Sequence, residues 1–179
     1  MTLVAGYLAV VVFCTPGGGW AHFAVAALFA AVFPYAGLYL AARAGRTTNT
    51  WVSKREQRGP VYAVMLGSIA VGLALLRLLQ APGPVMAAYL FFLGTLVLAA
   101  VVNRVVKISV HAMVAASLVG GLWPFAGPWA LAAAPVAAAV AWARVVVSEH
   151  EPREVQLGLA AGLVIGALLG LVLTGLGPR

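Results

Sequence analysis

Residues 128–147 read PWALAAAPVAAAVAWARVVV, residues 148–151 read SEHE, and residues 152–176 read PREVQLGLAAGLVIGALLGLVLTGL. Two apolar runs, each long enough to cross a hydrocarbon layer of ~30 Å as a helix, flank a short polar junction. Pro152 fits the first position of the second helix, where its missing N–H costs nothing. Three of the four carboxylates in the chain, Glu149, Glu151 and Glu154, sit in or beside that junction with His150, Arg144 and Arg153. Ionisable groups are expensive next to lipid, so a cluster of them marks a candidate functional site. Arg144 and Ser148 are four residues apart and share a helical face, as do His150 and Glu154 across Pro152. Glu154 falls in the first turn of the new helix and can reach back to the His150 ring. A histidine oriented by a carboxylate beside an anion-binding arginine suits an activated nucleophile facing a phosphate.

The same apolar pattern extends outward. The 179 residues are 64% hydrophobic and 8% charged, which excludes a soluble domain and predicts an integral membrane protein. Apolar segments run from Leu3 to Cys14, Ala21 to Ala42, Pro60 to Leu79, Pro84 to Asn103 and Ser109 to Trp123, before the two already quoted. The expected architecture is all-α: one integral-membrane domain over 1–179, a polytopic helical bundle of six or seven spans. Leu3 to Cys14 is short for a span. No basic residue precedes it, which disfavours a secretory leader. Alanine and glycine dominate several segments, as close helix packing in lipid favours. The five tryptophans lie near segment ends and suit interfacial anchoring.

One cysteine, Cys14, excludes an intramolecular disulfide. Asp is absent and Glu is scarce, so a carboxylate-rich magnesium site is not expected. No Cys/His cluster suggests zinc, and neither a metal nor another cofactor is expected. The net charge of +7 comes from basic residues in the gaps between apolar runs. It points to lipid phosphates and membrane topology rather than nucleic acid. His22, near the start of its segment and without a polar companion, reads as a packing or interfacial histidine.

Two further polar clusters matter. One is the long loop from Arg43 to Gly59, with Arg46, Lys54, Arg55, Glu56 and Arg58. The other is Lys107-Ile108-Ser109-Val110-His111. Ser109 is a good helix N-cap, which puts His111 in the first turn beside backbone N–H groups suited to an anion. An even number of spans separates each cluster from the next, so all three are expected on one face. Arg43, Arg46, Lys54, Arg55, Arg58, Arg104, Lys107, Arg144 and Arg153 fall there, against Arg77 and Arg179 on the other. The positive-inside rule favours a cytoplasmic over an extracytoplasmic setting for that face.

These motifs resemble those of the type 2 phosphatidic acid phosphatase superfamily, which includes lipid phosphate phosphatases and vanadium haloperoxidases. Its motifs are a Lys-rich stretch ending Arg-Pro, then Pro-Ser-Gly-His, then Ser-Arg, five residues, His, three residues, Asp. Ile108-Ser109-Val110-His111 is similar to the second, and Ala143-Arg144 through His150 to Glu154 to the third, with its spacing intact. Lys54, Arg55 and Arg58 before Gly59-Pro60 lie where the first belongs, without its six-residue gap. The similarity covers a phosphatase-like core of about 43–170. It implies a metal-independent membrane phosphatase acting on an isoprenoid or glycerolipid phosphate through a phosphohistidine. In that scheme His150 is the nucleophile and Glu154 orients it. His111 protonates the leaving group, while Arg144, Ser109, Lys54, Arg55, Arg58 and Lys107 bind phosphate. The partners are then the lipid substrate and membrane lipids, with oligomeric state open. Ile108, Val110, Ala143 and Glu154 replace the Pro, Gly, Ser and Asp of the pattern. The alternative is a non-catalytic membrane scaffold or a degenerate relative. A transporter would need polar residues along its spans, and these have almost none.

Overall fold

The computed structural model describes residues 2–47, 58–147 and 150–176, and among them it contains helices and turns but no strand. The chain divides into two compact units, Met1–Pro82 and Gly83–Arg179.

In the first unit, α1 (Thr2–Cys14) is followed by α2 (Trp20–Ala27), a π-helical turn (Leu28–Val32) and α3 (Phe33–Arg43). α4 (Arg58–Leu78) completes it. The run Trp20–Arg43 is one continuous apolar helix, interrupted only in its hydrogen-bond register. Pro34 supplies the reason. It has no N–H to donate, and its ring would meet the carbonyl four residues earlier, so the preceding turn widens. Ser68 of α4 donates to the Phe29 carbonyl inside that widened turn at 2.8 Å. Phe13, Trp20 and Phe23 form an edge-to-face cluster between α1 and α2.

In the second unit, α5 (Gly83–Val105) leads into α6 (Val110–Gly121) and a short α7 (Trp123–Ala126). A 3-10 helix (Gly127–Ala133), α8 (Ala134–Val146) and α9 (Pro152–Leu176) follow. Gly127 turns the chain at φ +52°, a conformation that favours glycine. The core of this unit is α6 against α9. Gly158, Gly162, Gly166 and Gly170 recur every fourth residue on one face of α9. A Cβ on Gly162 would strike the Met113 carbonyl, and one on Gly158 would lie 2.5 Å from the Ser109 carbonyl oxygen. Small residues thus let the two backbones meet, the packing mode that replaces the hydrophobic effect in lipid. The opposite surface of α9 shows Leu163, Val164, Leu168 and Leu171 outward. Large apolar groups outside and glycine inside is the arrangement expected of a helix facing acyl chains.

Among the described residues, five helical runs are long and apolar enough to cross a membrane: Trp20–Arg43, Gly59–Leu78, Gly83–Val105, Gly127–Val146 and Pro152–Gly175. α1 and α6 are shorter. The 12 residues of α6 rise about 18 Å, well under a hydrocarbon thickness of ~30 Å. Among the described residues the architecture is helical and membrane-type, with five full-length apolar helices and two shorter ones.

Candidate functional site

The second and third polar clusters meet at one end of the second unit. The α5–α6 loop is drawn back by Asn103, whose Nδ2 donates to the Ala99 carbonyl at 2.9 Å. Its Oδ1 accepts from the Ile108 N–H at 3.2 Å. Ser109 N–H then donates to the Glu154 carbonyl at 3.1 Å. The missing side chain of Gly158 makes room for that approach. Ser109 is fully buried, and its Oγ accepts from Ala112 N–H at 3.4 Å, capping α6 as expected.

Glu154 joins the pieces. It is the third residue of α9, and its Oε2 accepts the Glu151 N–H at 3.2 Å, the reach-back half of a capping box. The same oxygen lies 2.7 Å from His150 Nδ1 and 2.9 Å from Lys107 Nζ. A carboxylate accepts only, so His150 presents Nδ1–H to it, and the lone pair is left on Nε2. His150 N–H also donates to the Arg144 carbonyl at 3.2 Å, which closes the turn between α8 and α9. Arg144, in the last turn of α8, is only 6% exposed. Arg144 and His150 both act electrostatically on His111, so these three groups share one neighbourhood. His111 stands exposed in the first turn of α6. Ala112, Ala141 and Val155, from α6, α8 and α9, form a small apolar cluster with Val145 and Leu159.

The His150 side chain is largely buried, and burial lowers its pKa below the ordinary imidazole value. Glu154 opposes this by hydrogen bond and charge, while the Lys107 and Arg144 cations reinforce it. The ring is therefore mainly neutral at pH 7, with a free nitrogen on the side away from Glu154.

Of the residues singled out in the sequence, His150, Glu154, Lys107, Ser109, Arg144 and His111 are gathered here. Lys107 and Ser109 are already engaged, the first by Glu154 and the second by the α6 cap. Lys54 and Arg55 lie outside the described residues, as do Ser148, Glu149 and the side chain of Arg58. Two contributors escaped the sequence reading. Asn103 could have been noticed as a lone amide at the polar end of an apolar run. Gly158 could have been noticed from the four-residue glycine period. Among the described residues, no three His, Cys, Asp or Glu side chains gather as metal ligands would. Comparison with protein-family models, with curated proteins and with solved structures finds no match for this chain.

Proposed function

We propose that the protein is a membrane lipid phosphate phosphatase that works through a phosphohistidine at His150. The observation that carries this reading is the 2.7 Å contact between His150 Nδ1 and Glu154 Oε2, made beside a buried Arg144. It gives a neutral imidazole, one oriented nitrogen and a fixed cation, the parts an in-line attack on phosphorus needs. Nε2 attacks the phosphoryl group, and the bond to the lipid oxygen breaks. His111 relays a proton from water to that oxygen, and the lipid alcohol leaves. His111 then takes a proton from water as the water attacks the phosphohistidine, and inorganic phosphate departs with the imidazole restored. Arg144 faces the equatorial oxygens, where charge accumulates.

The apolar helices on either side favour a substrate whose tail stays in lipid, an isoprenoid or glycerolipid mono- or diphosphate. In this reading α6 and its flanking turns count as a crossing. A six- or seven-span chain then returns its polar junctions to one face, which the basic loop residues make cytoplasmic. A single cysteine in the Arg43 to Gly59 loop, in a Cys14→Ser background, reports that face through labelling by an impermeant thiol reagent; protection in sealed, right-side-out vesicles is expected.

The test is phosphate release from a panel of lipid phosphates by purified protein in excess chelator, with His150→Ala and His111→Ala in parallel. Metal-independent, vanadate-sensitive turnover that disappears in His150→Ala is expected. Undiminished turnover in His150→Ala rules the mechanism out. A second reading, a non-catalytic scaffold, draws on the three donors gathered at Glu154 Oε2, because that oxygen also ties the α5–α6 loop to α9. It predicts no turnover across the panel.

A further inference from the structure

Four elements bring charge to the His150 ring. The α5–α6 loop brings Lys107, α8 brings Arg144, α6 brings His111, and the start of α9 brings Glu154 with Arg153 and Glu151 nearby. Among these, Lys107 and the imidazole meet the same atom. Lys107 Nζ lies 2.9 Å from Glu154 Oε2, and His150 Nδ1 lies 2.7 Å from it. We propose that Lys107 is a positioning residue acting on His150 through Glu154, rather than a ligand of the phosphate.

The oxygen already takes the Glu151 N–H at 3.2 Å. A third, charged donor from another segment fixes the carboxyl rotamer, and with it the plane of the imidazole. It also draws off part of the negative charge that would otherwise stabilise an imidazolium. A carboxylate alone would hold the proton on Nδ1 and invite a second one onto Nε2. With Lys107 bound to it, it keeps the orientation and weakens the invitation, so Nε2 remains a nucleophile at lower pH. The direction in which Lys107 moves the ring's proton affinity agrees with this, though burial is the larger influence. The Lys107 side chain is 41% exposed, so the effect is moderated by solvent and is smaller than that of Glu154.

The kinetic part of this inference rests on the phosphatase reading, but its physical part does not. The experiment is a proton-affinity titration of His150 by NMR of ring-labelled histidine in the full chain in detergent. With only three histidines, signals are assigned by His→Gln replacement one at a time. Lys107→Met is expected to move the His150 titration to higher pH, and Lys107→Arg to bring it back. If Lys107→Met does not fold, Lys107→Gln gives the same reading. An unmoved titration overturns the proposal whether or not the protein is a phosphatase. Where turnover is measurable, the acid limb of kcat/KM should move upward in Lys107→Met and return in Lys107→Arg. A raised KM with an unmoved acid limb would instead return Lys107 to the phosphate and overturn the positioning role. Absence of turnover in every form would count against the phosphatase reading alone, and the titration would still decide this one.

Discussion

Each unit of the molecule holds a histidine that bonds across to another segment, and the two do it differently. In the first unit His22 Nε2 meets the carbonyl of Leu79 at 3.1 Å. In the second, His150 Nδ1 meets a carboxylate that is itself held by a lysine and a backbone amide. A carbonyl fixes a tautomer and ties a helix start to a helix end. A carboxylate does that and also prepares the ring for a change of charge. The same contrast runs through the packing. Gly67 in α4 has open space where a side chain would go, whereas Gly162 in α9 faces a carbonyl of α6. Close backbone approach and the charged junction occur in the same unit, and Gly158 shows the connection, because Ser109 could not reach Glu154 past a side chain there.

The sharpest way to break this contrast is a pair of substitutions. His150→Ala should remove phosphate release by a factor of ~10³ or more, on the scale seen when a nucleophile is deleted. His22→Ala should leave turnover within about twofold while weakening the tie to Leu79 by ~1 kcal/mol. Equal losses in both would mean that neither histidine does chemistry. Glu154→Gln comes next. Glutamine still fills the capping-box position, so thermal stability should change little, yet turnover should fall by ~10²-fold as the compensating charge is lost. A parallel fall in stability and activity would favour a purely structural Glu154.

Packing gives a third test. Gly162→Leu should cost ~3 kcal/mol or more in resistance to unfolding, because the clash is with backbone, while Gly67→Leu should be nearly neutral. Acidity gives a fourth. In the proposed mechanism His150 attacks as the neutral ring, and its pKa is lowered, chiefly by burial, so activity should hold as pH falls through the ordinary value of 6.5 and decline only below it. An acid limb at or above 6.5 would contradict the buried, cation-flanked ring. Ser109→Ala should cost about 1 kcal/mol of stability from the lost cap, read by thermal unfolding.

Much of this was legible before the structure. Pro152 and Ser109 mark helix starts, and both helices begin there. The His150–Glu154 pair follows from a local spacing of four residues, which the first turn of α9 realises directly. Pro34 shows where local reading stopped. Apolarity alone predicts an uninterrupted span over Ala21 to Ala42, whereas the chain absorbs the proline in a π turn steadied by Ser68. The contact of Lys107 with Glu154 is not legible in the sequence, because the two are distant along the chain and meet only after α6 docks on α9. That docking depends on the glycine period, which composition alone recorded as generic smallness. Residue spacing reports contacts within a turn; it says little about which loop a carboxylate will capture.

The central claim is that His150 carries the phosphoryl group. A lipid phosphate labelled in the phosphoryl group, mixed with purified protein and quenched in alkali, should leave label on the chain that is stable to base and lost in acid, as a P–N bond is. The label should map to the peptide containing His150 and be absent from His150→Ala. Label on another residue, or steady phosphate release with no label trapped at any quench time while His150→Ala still turns over, would contradict the account.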